Sequence, residues 1–352
     1  MIPAARPAPS TGAGTCTGTG AGTGYAPCHH GEILQGVFLD GDGLRCAGLV
    51  TLPMAGPGSG ARFVRAPGTP AEALTVVPAG RGKAAQAAAL AVAACAERVG
   101  QPPCGGELRL TGDIPVGLGM GSSTSDVIAA VRAVADSYGL RLTPETVARL
   151  AVRAELACDP LMLDGGPVLF AQREGRVLEV LGPSLPPLVV VGCVLGGGAP
   201  VDTLALPAYE PDAGDVRAYE LLRARLRRAV ATGDVGLLGQ VATASARRGQ
   251  HVLGHPEFDA LTGIARRVGA AGVQIAHSGA VAGVLFDPAA PGVRHRVRGC
   301  LRALDAHGIP ATRTFTTAAT TTKEPWNGPA HRGVDRPAGP DTSRRPAGLP
   351  AF

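Results

Sequence analysis

The stretch "PVGLGMGSSTSD", Pro115 to Asp126, limits this chain more than any other dozen residues: bare glycine backbone at Gly117, Gly119 and Gly121 runs straight into Ser122, Ser123 and Thr124. Upstream, "GELRLTGDIP" reads as a strand. Downstream, Val127, Val131, Val134 and Tyr138 recur at three- and four-residue spacing and predict a helix running to Gly139. A strand that enters a glycine-rich turn and then a helix presents unpaired N–H groups at the positive end of the helix dipole, which suits an anion, phosphate above all. Glycine lets backbone approach phosphate oxygens without a Cβ in the way, and hydroxyls at the helix start can cap it or reach a cation. Asp126, three residues after Ser123, fits a capping box. The loop is neither a Walker A motif nor the dinucleotide fingerprint, because its glycines follow G-x-G-x-G spacing. A tight loop with a well-capped helix and no ligand is the plain alternative.

The rest of the chain sets the frame. At 352 residues it is long enough for two cores. Its net charge of +5 comes from arginines scattered through an Ala- and Gly-rich background, with lysine only at Lys83 and Lys323, and aromatic residues make up 3%. Both features argue against a nucleic-acid partner. Eight cysteines include no C-x-x-C pair, so reduced thiols in a cytoplasm are expected, without a thiolate metal site. The uncharged stretch from Val180 to Val201 is broken by Pro183, Pro186, Pro187 and a glycine triplet, which predicts no membrane helix. Residues 1–24 and 317–352 are poor in large apolar side chains and read as disordered tails.

Between the tails, strands are expected at "LRCAGLVTLPM", "ARFVRAP", "GELRLTGDIP", "PPLVVVGCVLGGG", "GVQIAHSG", "AVAGVLFDP" and "ATRTFTT", with a hairpin at "PVLFAQREGRVLEVL". Helices are expected at "GKAAQAAALAVAACAERVG", at "TPETVARLAVRAEL" with Thr143 as cap and Pro144 at its first position, at "DAGDVRAYELLRARLRRAVATG", "DVGLLGQVATASARRGQ" and "PEFDALTGIARRVG", and at "VRHRVRGCLRALDAHG". The order predicts an α+β protein whose second half is a small sandwich.

The loop "PVGLGMGSSTS" resembles the second motif of the GHMP kinases, P-x-x-x-G-L-G-S-S-A-A, in length and register, with Met120, Thr124 and Ser125 as departures. "GYAPCHHGEILQG" at residues 24 to 36 and "GVQIAHSGAVAGVLF" at 272 to 286 fall where the family's other motifs belong, and are most similar to the L-threonine kinase branch associated with propanediol utilisation and cobalamin synthesis. The resemblance covers about residues 24 to 316. It implies a two-domain GHMP fold: an N-terminal domain over 25–180 like the second domain of ribosomal protein S5, and a ferredoxin-like domain over 181–316. It further implies phosphorylation of the hydroxyl of a small metabolite by ATP with Mg2+, L-threonine to O-phospho-L-threonine, by a cytoplasmic monomer or homodimer. Another amino alcohol or a sugar-like intermediate is the alternative acceptor, and a catalytically silent ligand sensor on the same fold the alternative of a different class.

The resemblance assigns the phosphate cradle to Gly117, Leu118, Gly119, Met120, Gly121, Ser122, Ser123 and Thr124, and Mg2+ to Ser123 and Glu155. Phosphoryl transfer needs a cradle, a cation and an acceptor for the hydroxyl proton. Asp159, in "ELACDPLMLDGG", takes that last place, with Asp164 as competitor. Substrate falls to Glu32 and Gln35, expected in a strand-edge loop, and to His277, Ser278 and Gly279 in a turn between two strands. Glu32 would pair with an ammonium group. Arg247 or Arg248 could clamp a carboxylate. No lysine in the first motif assists a base, and His29 and His30 fit structural or functional roles equally.

Overall fold

The computed structural model describes residues 20–112, 114, 118–198, 211–276 and 279–317. Gly117, His277 and Ser278 therefore lie outside the described residues, as do nearly all of both tails. Seven helices and ten strands are found among the described residues: β1 (Ala21–Leu39), β2 (Arg45–Ala66), β3 (Leu74–Val77), α1 (Gly82–Arg98), β4 (Gly105–Gly112), α2 (Ser122–Ser137), α3 (Pro144–Glu155), β5 (Val168–Ala171), β6 (Arg176–Val180), β7 (Val189–Val194), α4 (Ala213–Thr232), α5 (Val235–Leu253), α6 (Phe258–Arg267), β8 (Gly272–Ile275), β9 (Val281–Phe286), α7 (Val293–Ala306) and β10 (Ala311–Thr316). The strands join in one sheet of order β10-β7-β9-β8-β1-β2-β4-β3, with the β5–β6 hairpin attached to β2. All pairings are antiparallel except β3 with β4.

Two apolar cores lie against this sheet. The first sets α1, α2 and α3 on the start of β1, the end of β2 and β4, through residues such as Phe63, Leu108, Ile128, Val131 and Leu150. The second sets α4 and α5 on the later half of β1 and on β7 and β9, through Ile33, Phe38, Val190, Leu226, Leu238 and Leu285. Strand β1 thus serves both cores in turn. Helix α2 is buried on nearly every face, which its run of Ala and Val allows.

Three expectations need correction. Strand β1 begins at Ala21, inside the stretch expected as a tail, because the glycines there are packing residues: a Cβ on Gly22 would sit 2.3 Å from the Ala133 carbonyl oxygen of α2, and one on Gly24 2.1 Å from that of Ala129. Glu32 and Gln35 are not in an edge loop but inside β1, whose register against β2 shifts around Gly31 (φ +70°), and Glu32 also pairs across to Ile275 of β8. Asp126 does not cap α2. The N-cap is Gly121 in left-handed conformation with no side-chain cap, and Asp126 instead receives the Ser59 hydroxyl and pairs with Arg81 at 2.9 Å. The Thr143 cap of α3 is as expected, accepting from the Thr146 amide.

Candidate active site

The glycine-rich turn ends where β1, α2 and the segment after α3 meet. Gly119 has φ +85°, and a Cβ there would lie 2.5 Å from the Ala276 Cβ; one on Gly279 would lie 2.3 Å from the Gly119 nitrogen. The second and third motifs therefore press backbone to backbone. The Val281 amide donates to the Leu118 carbonyl at 2.9 Å, and the His29 amide to that of Met120 at 3.3 Å, so the first motif joins the same turn. Met120 packs its side chain on Cys28, Met54 and Ile114. Gly121 has φ +71° and lies under the His29 ring, 2.5 Å from where a Cβ would stand.

The first intrahelical bond of α2 runs from the Ser125 amide to the Gly121 carbonyl at 2.8 Å, so the amides of Ser122, Ser123 and Thr124 precede the ladder, and among the described residues no side chain caps them. Residues 118–123 are half-buried rather than sealed. Beside them opens a polar cavity of about 170 Å3 lined by Ser122, Arg81, Asp126, Ser59 and Thr111.

Two carboxylates face this helix start from the end of α3. Glu155 accepts from the Ser123 hydroxyl and from the Thr124 hydroxyl, both at 2.8 Å. Burial pushes its carboxyl up to about 7, against the pull of those two bonds, and the Asp159 charge adds to the rise. Neither Arg149 nor Arg153 pairs with it: among the described residues Glu155 has no salt bridge, and Arg149 turns to the Thr146 hydroxyl. A half-neutralised carboxyl beside hydroxyl oxygens is the donor set a hard divalent cation takes, so Ser123 and Glu155 fit Mg2+. Asp159 bonds at 3.0 Å to His29 Nε2, whose Nδ1 donates to the Gly31 carbonyl at 3.2 Å and lies 3.6 Å from Glu32. Burial would lower the His29 pKa; the charge and hydrogen bond of Asp159, with Glu32 and the Gly31 carbonyl, outweigh it and raise it to about 9. The ring is thus a cation held between two carboxylates.

The structure brings together Glu32, His29, Asp159, Glu155, Ser123 and Thr124. It does not bring in Asp164, which is exposed in the loop before β5. Gln35 is tied through its backbone, its amide donating to the Ser245 hydroxyl of α5 at 2.9 Å. His29 is the residue that sequence reasoning missed as a partner of Asp159. Its neighbour His30 is structural, with its pKa lowered to about 4 by burial and its Nδ1 2.7 Å from the Gln274 amide nitrogen.

A helix start open to anions, with two carboxylates beside it, set into a bulged antiparallel sheet of α+β architecture, is an arrangement suited to phosphate and a cation. The model of the GHMP kinases N terminal domain matches residues 78–164 and that of the GHMP kinases C terminal matches residues 226–303. The homoserine kinase of Moorella thermoacetica is 30% identical over 214 residues, covering 58% of this chain and 69% of that protein. The L-threonine kinase of Citrobacter freundii is 27% identical over 177 residues, 49% of this chain. Among solved structures, a homoserine kinase from Cytophaga hutchinsonii superposes with TM-score 0.59 at 18% identity, over 85% of this chain and 94% of that one. A phosphomevalonate kinase from Streptococcus pneumoniae superposes with TM-score 0.59 at 12% identity, over 84% and 98%. The chain belongs to the GHMP kinases and has their two-domain fold. Its match spans 60% of the length of the Citrobacter L-threonine kinase.

Proposed function

We propose that this protein transfers the γ-phosphoryl group of ATP to the hydroxyl of a small metabolite, with L-threonine as acceptor and O-phospho-L-threonine as product. The observation that carries the proposal is the convergence of Ser123, Thr124 and Glu155 at the uncapped start of α2. Anionic oxygen is what the amides of Ser122, Ser123 and Thr124 lack, and a cation is what Glu155 lacks. Gly119, Gly121 and Ser122 belong to the described part of the phosphate cradle, residues 118–124, with the polar cavity beside Ser122 and Arg81 leading away from it. Ser123 and Glu155 would hold Mg2+, which when bound offsets charge on the transferring group.

Asp159 accepts the proton of the acceptor hydroxyl, and His29 fixes the orientation of its carboxylate. Glu32, buried beside His29, supplies negative charge for the ammonium group of an amino-acid substrate, and Gly279, just ahead of β9 and pressed against Gly119, faces substrate from the other side. The L-threonine kinases of Citrobacter freundii and Salmonella typhimurium, each 27% identical, support the threonine assignment, and a homoserine kinase among the relatives supports an amino-acid acceptor more broadly. The seven described cysteines are free and buried, which favours a reducing compartment, and we place the protein in the cytoplasm.

The test is ADP release across threonine, serine, homoserine, ethanolamine and aminopropanol. Threonine is expected to turn over fastest. Turnover of another alcohol with none of threonine overturns the substrate, and ATP binding without turnover of any acceptor overturns the enzyme in favour of a sensor.

A further inference from the structure

Of the two arginines singled out as carboxylate clamps, Arg248 is spent on Asp215 at 3.2 Å, with its guanidinium 5.5 Å from the Tyr219 ring centre. Arg247 lies elsewhere. Together with Arg266 it lines a half-open cavity of about 310 Å3 between α5, α6 and β8, a volume suited to a metabolite-sized ligand. The cavity shares no residue with the candidate active site. Helix α5 separates the two: Ser245 bonds to Gln35 of β1, while Thr243, Ala244 and Arg247 line the cavity.

The lining is one-sided in its chemistry. Ala244, Ala265, Ala271 and Val273 give an apolar wall of small side chains, and α5 and β8 approach closely enough for this because a Cβ on Gly272 would lie 2.1 Å from the Gly239 carbonyl oxygen. The hydroxyls of Thr243 and Thr262 spend their protons on the Gly239 and Asp259 carbonyls. The carbonyl oxygen of Gln240 accepts from Arg225 at 3.4 Å, which leaves its amide N–H2 as a donor. No carboxylate lines the cavity, and neither Arg247 nor Arg266 has a salt bridge among the described residues. The Arg247 guanidinium sits 5.9 Å from the Phe258 ring centre, a contact that holds the cation at the rim without neutralising it. Two planar cations and an amide donor over an apolar wall call for a ligand that brings acceptor oxygens on a compact apolar body.

We propose that this cavity is a second binding site, for a small organic anion: a carboxylate or phosphate monoester on a short aliphatic body. Calorimetric titration of the full chain at fixed ionic strength with glutarate and with butyl phosphate tests it, with butylamine and 1-butanol as probes of the same body without negative charge. At least one anion is expected to bind saturably at one site, and the uncharged and cationic probes are not. Whichever anion binds tighter identifies the head group. In an Arg247→Gln/Arg266→Gln variant the affinity should fall at least tenfold; both side chains are exposed, so the fold should survive, which thermal melting checks. Ala244→Leu, which narrows the cavity without touching its charge, should weaken binding as well. Absence of saturable binding, equal binding of 1-butanol, or anion binding that neither variant weakens overturns the proposal. ADP release with threonine, measured on the same preparations, should be unchanged in the double variant. Its absence from the wild type would sink the kinase proposal and leave the titration to decide this one.

Discussion

An imidazole between two carboxylates gives each of them a partner that a neutral side chain cannot replace. His29 keeps Asp159 aimed, and lies 3.6 Å from buried Glu32. Because its folded pKa, about 9, exceeds the ordinary 6.5, its contribution to stability is complete below pH 6.5 and fades as pH rises through 9. His29→Gln leaves two carboxylates facing each other in a closed space and should cost about 3 kcal/mol of stability by urea titration. A loss under 1 kcal/mol would mean that the ring is not the cation described. Asp159→Asn should lower kcat on the order of 100-fold while ATP affinity stays within about twofold, read by single-turnover kinetics beside nucleotide titration. An unchanged rate removes its role. The family resemblance named Ser123 and Glu155 together, because a contiguous motif and a helix end carry them, and the two side chains do meet. The partnership of His29 was not visible in the sequence, since Asp159 lies 130 positions away and only the bulge at Gly31 turns the ring toward it.

At the level of elements, periodicity revealed most helices because they keep one apolar stripe or an explicit cap, as Thr143 does for α3 and Asp212 with Asp215 for α4. Strands were less legible where glycine carries the packing. β2 runs unbroken from Arg45 to Ala66 through Gly56-Pro57-Gly58, which looks like a linker, and the start of β1 hid behind Gly22 and Gly24. Absence of a side chain is itself the packing feature there, and hydropathy cannot register it. Gly22→Ala must displace either β1 or α2 and should cost about 2–3 kcal/mol, the usual range for overpacking. A neutral result by thermal melting would mean that α2 sits further from β1. The end of α3 carries the opposite strain. Leu156, 73% exposed, adopts φ +69° as its C-cap directly after Glu155. Left-handed backbone costs an L-residue roughly 1–2 kcal/mol, part of which glycine returns through its freer unfolded chain. Leu156→Gly should therefore raise stability by about 0.5–1 kcal/mol in urea, and a decrease would mean that the leucine side chain packs where it looks exposed.

Across the whole molecule, the site exists only because β1 belongs to two cores at once. Its first half lies under α2, its second half under α4 and α5, and the bulge between them holds His29 and Glu32 against the turn of the second motif and the strand of the third. Glu155 closes this assembly from α3, and its state couples the site to pH. A carboxyl raised to about 7 by burial binds a proton in the folded chain that the unfolded chain has released, so without a cation its contribution to stability declines as pH climbs from about 4.5 to 7 and is flat above. A divalent ion needs the ionised form and must displace that proton. The apparent affinity for Mg2+ should accordingly rise about fivefold from pH 6 to pH 7 and about tenfold by pH 8, and level off beyond. Mg2+ should also raise the melting temperature more at pH 8 than at pH 6, and Glu155→Gln should abolish both effects. Affinity independent of pH across that range would mean that Glu155 is not the ligand, and the cation would then have to be held by the nucleotide and Ser123 without it.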